Sequence, residues 1–224
     1  MFTTWENFFK TNPSMEPADV NAVDSNNQHL IFYIAYSGSF ILVNHYIEKG
    51  ANINAKDRNF GNSLLHIAVH ANSPKLVEFF ISKGINVNSK NYYGISPLIV
   101  ACKLGYLRII RLLLKKGADV NVEDSNHRGI LEIAIRSKIY STVEYLIDMG
   151  FNLNYRNKYF DTPLHIAIEV VDLGIIKLLV ENGANVKAID KLENTPFIKA
   201  YNIPEKFAKQ RADIIDYLKN VRVN

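Results

Sequence analysis

The chain has 224 residues, a formal net charge of +4 and one cysteine, Cys102. A single cysteine excludes a disulfide framework and fits a reducing compartment. The length suits one or two ordinary domains, and a charge this modest informs less than its distribution along the chain.

Phe2, Trp5, Phe8 and Phe9 mark a short aromatic-rich helix at the N-terminus. Glu6, Lys10 and Asn12 interrupt any apolar run there, so the segment reads as neither a signal peptide nor a membrane span. Pro17-Ala18-Asp19-Val20-Asn21 then imitates the turn-forming stretch that closes later units, and residues 1–24 read as an N-terminal capping half-unit.

Residues 25–200 repeat. Ala35, Ala68, Ala101, Ala134, Ala167 and Ala200 stand 33 residues apart without drift, which marks five to six copies of one structural unit. One such unit cannot bury its own apolar face, so neighbours must stack. The best-preserved copy reads Asp161-Thr162-Pro163-Leu164-His165-Ile166-Ala167. Thr is a natural N-cap, and Pro suits the first helical turn, where its missing N–H has no partner to lose. Sixteen residues after four of the alanines come Gly84, Gly117, Gly150 and Gly183; Gly50 follows Ala35 by fifteen. Each closes an apolar segment such as Ile109–Lys116, so each unit holds two helices, the second ended by glycine in the left-handed conformation. Polar–apolar–polar stretches follow, for example Asn86-Val87-Asn88 and Asn152-Leu153-Asn154, and then turn-rich tips such as Asp57-Arg58-Asn59-Phe60-Gly61. They predict a β-hairpin-like finger leading into the next helix.

Residues 201–224 close the array. An insertion from Asn202 to Gln210 precedes a capping helix around Ile214-Ile215-Asp216-Tyr217-Leu218-Lys219, with no glycine and finger after it.

Taken together, Thr-Pro-Leu-His-Ile-Ala, the apolar second helix and Gly-Ala-Asp/Asn-Val-Asn resemble the ankyrin repeat over roughly residues 17–200. The resemblance implies an all-α repeat solenoid of stacked helix–turn–helix units with β-hairpin-like fingers. It also implies that His66 and His165 are hydrogen-bonding structural residues of the helix start. Glu132 replaces that histidine in the fourth unit, and Tyr33, Ile99 and Ile198 replace it elsewhere. The fourth unit also lacks the Thr-Pro start, which makes it the unit expected to fray first.

No catalytic constellation is present. His66 and His165 are three units apart, and His29, His45, His70 and His127 have no partner at metal-ligand spacing, so no metal or cofactor is expected. The implied function is a non-enzymatic protein–protein interaction module, monomeric and cytoplasmic, that presents a concave helix and finger surface. Phe60, Tyr92, Tyr93, Tyr159 and Phe160 fall at the finger tips, either as binding anchors or folded back to stiffen the stack. His70, Lys103 and Arg136 follow their alanines by two residues, a place the resemblance puts on the concave floor. A cationic floor under an aromatic rim suits an acidic protein segment. Asn88, Asn121 and Asn154 occupy the place that an asparaginyl hydroxylase modifies in some ankyrin proteins. From Lys83 to Lys116 the chain has no acidic residue and several basic ones, which makes a nucleic-acid or anionic-surface binder the alternative. Abundant Asn, Lys and Ile are compatible with an AT-rich genome such as that of a virus or intracellular bacterium, and hence with an effector that sequesters a host protein.

Overall fold

The computed structural model describes residues 19–221; the aromatic segment Phe2–Phe9 and most of the capping half-unit lie outside the described residues. The chain divides into two compact units, one comprising Met1–Cys102 and Tyr106–His127, the other Lys103–Gly105 and Arg128–Asn224.

Unit 1 contains α1 (Leu30–Tyr36), α2 (Phe40–Glu48), α3 (Leu64–His70), α4 (Pro74–Ser82), most of α5 (Pro97–Leu104) and α6 (Leu107–Lys115). Helix α1 packs on α2 and α3, α3 on α4, and α4 on α6. Unit 2 contains α7 (Ile130–Arg136), α8 (Tyr140–Asp148), α9 (Pro163–Glu169), α10 (Leu173–Glu181), α11 (Pro196–Tyr201), a 3-10 turn (Glu205–Phe207) and α12 (Ala208–Asn220). Here α7 packs on α8 and α9, α9 on α10 and α11, and α12 on α10 and α11. This is the expected all-α repeat class. The six period-marking alanines are fully buried, because a methyl group is all that fits where first helices pack closely.

The helix starts follow from the cap residues. In α3 the backbone N–H of Ser63 donates to Nδ1 of His66 (3.2 Å), and Thr162 does the same to His165 in α9 (3.2 Å). Second helices begin at Ser73 and Asp172, whose oxygens accept from the N–H groups of Leu76 (3.4 Å) and Ile175 (3.0 Å). Helix α6 is strongly two-faced, burying Ile109, Ile110 and Leu113 and exposing Arg108, Arg111 and Lys115. It ends at Gly117, φ +86°, a conformation that costs glycine nothing.

Two details go beyond the expectations. Among the described residues the fingers form no continuous strands but carry isolated antiparallel bridges, among them Val23 with His29 and Lys56 with Ser63. At the tips an acidic or amide side chain accepts from the returning backbone. Asn91 Oδ1 accepts from the N–H groups of Tyr93 and Ile95 (both 3.0 Å), and Asn157 and Asp190 close their tips in the same way. The last helix, α12, starts at Ala208, inside the segment read as an insertion, after the 3-10 turn has redirected the chain.

Candidate functional site

The finger tips of unit 1 are built on Asp57 and Asn91. Asp57 accepts from Phe60 N–H through Oδ1 (2.7 Å) and from Asn62 N–H through Oδ2 (3.0 Å), which fixes the loop that carries Phe60. The N–H of Tyr92 donates to the carbonyl of Phe60 (2.8 Å), joining one tip to the next. The Tyr92 ring lies over Gly61, where a Cβ would come within 2.4 Å of it; with φ at +68° as well, position 61 admits only glycine. Tyr93 and Phe60 face each other at 6.1 Å between ring centroids. Fold-back and exposure therefore coexist: Phe60 remains 50% exposed, Tyr92 66% and Tyr93 55%. Beside them opens a cleft of about 380 Å³ lined by Lys90, Tyr93, Asp119, Asn121, Glu123 and His127 among others.

In unit 2 the tips are built on Asn157 and Asp190, and Lys191 N–H donates to the carbonyl of Tyr159 (3.0 Å). Tyr159 is 55% exposed and Phe160 49%. The Lys158 ammonium sits 5.1 Å from the Tyr159 ring centre, and the Arg156 guanidinium 5.8 Å from that of Phe160.

The three positions read as a cationic floor differ from one another. His70 closes α3 and is exposed, and Lys103 is exposed near the end of α5. Arg136 is held between carboxylates, with Nε 2.8 Å from Glu132 and Nη1 3.0 Å from Glu169. Burial alone lowers its pKa, but the hydrogen bonds to Glu169 and Glu132 outweigh this and raise it above the ordinary arginine value. Its charge is taken up within unit 2. Glu132 itself is buried where two other units carry histidine. Beside it, burial first and the Glu132 charge second raise the Tyr155 phenol, whose hydroxyl has no hydrogen-bond partner.

Sequence reasoning missed the tip-closing residues Asp57, Asn91, Asp124, Asn157 and Asp190. Their signal in the sequence is recurrence, since the last four are 33 apart.

The finger asparagines work as clamps between repeats. Asn88 Nδ2 donates to the Gly117 carbonyl (3.2 Å) while Oδ1 accepts from Asp119 N–H (2.9 Å). Asn154 repeats this with Gly183 (3.3 Å) and Asn185 (2.7 Å). Asn121 is exposed, and its backbone N–H donates to Asp119 Oδ1 (2.9 Å).

His66 and His165 have the structural role the resemblance implied. Their Nε2 atoms lie 2.9 Å from the Ile95 carbonyl and 3.0 Å from that of Asn194, so each ring bridges to the following repeat. With Nδ1 accepting from backbone N–H, the proton belongs on Nε2. Burial lowers His66 from 6.5 to about 4, so the ring is neutral at pH 7. Cys102 is fully buried, and burial pushes its thiol up to about 12, so it is a packing residue without thiolate character.

Among the described residues no group of three or more His, Cys, Asp and Glu is placed to hold a metal ion, and no helix is long and apolar enough to cross a membrane. A search of curated proteins returns no match. The family model for ankyrin repeats (3 copies) matches residues 31–124 and 121–190. Ankyrin repeats generally serve as protein–protein interaction modules, and the family is typically non-enzymatic. With the matched span covering most of the sequence, and the period, the caps and the histidine bridges in place, the chain belongs to the ankyrin repeat family.

Proposed function

We propose that the protein is a non-enzymatic module that captures a protein partner on its aromatic finger tips, with His70 and Lys103 contributing from the ends of first helices and Arg136 acting through the packing of unit 2. The observation that carries this reading is the exposure of Phe60, Tyr92, Tyr93, Tyr159 and Phe160, each half to two thirds open to solvent on loops locked by side-chain hydrogen bonds. Large rings on a preformed backbone bury much area with little ordering cost, which is how binding hot spots gain their affinity. The protein acts in this reading as an intracellular monomer, in a host cell if it is an effector.

The test is a purified partner, obtained by affinity capture from the native cell, titrated against the chain carrying Phe60→Ala, Tyr93→Ala and Tyr159→Ala. Affinity is expected to fall about a hundredfold, from losses of ~1 kcal/mol or more per anchor, while helicity and melting stay near wild type. Unchanged affinity rejects the tips as the site.

One observation favours a second reading, an anionic surface bound by α6. Arg108, Arg111 and Lys115 occupy one exposed face of that helix, with Lys116 3.7 Å from Glu78. Tight nucleic-acid binding that weakens steeply with salt, with no protein partner, would favour it. The modification of Asn88, Asn121 and Asn154 rests on the resemblance; mass spectrometry finding no added oxygen in hydroxylase-containing cells removes it.

A further inference from the structure

The two groups of finger tips have different surroundings. In unit 1 Tyr93 borders a cleft that contains Asp119, Glu123 and Asp124 beside Lys90 and His127. In unit 2 four large apolar side chains stand out from two joined tips: Tyr159, Phe160, Ile189 at 45% exposure and Leu192 at 80%. Around them are Arg156, Lys158 and Lys191, all exposed. Among the described residues no carboxylate lies within ion-pair distance of these three cations. The acidic groups of the same tips are otherwise engaged or outnumbered. Asp190 closes its own turn, Asp161 is paired with Lys199 at 2.5 Å, and Glu193 stands alone against the three.

We propose that these unit 2 tips are the docking site for an acidic peptide segment with apolar anchors. This rests on the finger-tip reading above and adds the chemistry of the partner. Arg156 and Lys158 already lie over the rings of Phe160 and Tyr159, so positive charge is placed at the edge of the apolar surface before anything binds. A leucine or phenylalanine of the segment covers Leu192 and Tyr159, and flanking carboxylates meet Arg156, Lys158 and Lys191. Single-stranded nucleic acid fits less well, because the most exposed anchor, Leu192, is aliphatic and offers no ring for a base to stack on. Charge at the rim steers association and sets salt sensitivity, while the apolar anchors set the residence time.

The experiment titrates the full chain with the peptide Asp-Asp-Leu-Asp-Phe-Leu-Asp-Asp, its lysine counterpart and an oligothymidylate, read by amide chemical shifts. The acidic peptide is expected to move the amides of Tyr159, Phe160, Lys191 and Leu192, and to weaken about tenfold between roughly 50 and 300 mM salt. Arg156→Gln with Lys158→Gln is expected to cost about tenfold in that affinity with unchanged melting. Equal binding of the lysine peptide, shifts confined to unit 1, or preferential binding of oligothymidylate at these amides overturns the proposal. If the acidic peptide fails while Tyr159→Ala still weakens capture of the cellular partner, the charge assignment falls and the interaction reading stands.

Discussion

Thr142 sits fully buried in α8, and its hydroxyl has no hydrogen-bond partner. The equivalent positions one period away in either direction are Ile109 and Ile175, also fully buried. A buried hydroxyl without a partner costs about 1–3 kcal/mol, and valine has nearly the same shape. Thr142→Val is therefore expected to raise stability by about 1 kcal/mol, seen as a higher urea midpoint with an unchanged slope. Arg136 is the opposite case. Replacing it with leucine strands the buried Glu132 carboxylate and is expected to cost about 3 kcal/mol in the same measurement. Neither effect was readable beforehand. The sequence shows Thr142 as an ordinary polar residue and Arg136 as a cation of the concave floor, and only three-dimensional packing shows that one lacks a partner and the other has two.

At the scale of the element, the helix starts were legible because their chemistry is local. Ser63 and Thr162 each meet a histidine three residues on, and that spacing alone forms the cap. The fingers were legible only in their turns, since whether a backbone group bonds across the hairpin or to Asn91 or Asn157 is decided by the folded loop. The caps also fix a pH response. The folded pKa of His66 is about 4, below the ordinary 6.5, so the folded state binds fewer protons than the unfolded chain between those values. Stability from this group is complete above pH 6.5 and is lost as pH falls through the window. His165 is lowered in the same direction, again chiefly by burial. Acidification from pH 7 to 5 is expected to cost about 2 kcal/mol through His66 alone, and His66→Gln is expected to flatten that slope in unfolding measured across pH.

Across the whole molecule, the period was the most legible feature, because six equally spaced alanines can be counted without knowing any contact. The charge of the candidate surface was not, since it depends on which cations already face a carboxylate. Arg136 does, and Arg156 and Lys158 do not. A molecule held together mainly by neighbouring repeats need not unfold all at once. Helix α7 begins at Gly129 without a side-chain cap and carries the buried Glu132. Amide exchange is expected to be faster in α7 and α8 than in α9 and α10; equal protection would assign unit 2 a single cooperative transition.

The clamps at Asn88 and Asn154 carry one more consequence. Each ties its own finger to a glycine carbonyl 29 residues ahead and to an N–H 31 residues ahead. A copy added or removed whole hands every such tie to an equivalent partner, whereas a fraction of a copy leaves donors and acceptors facing the wrong atoms. Whole copies of 33 residues are therefore the steps that keep these ties, and the place where a residue is missing between helices is made good by the extra residue in the finger that follows.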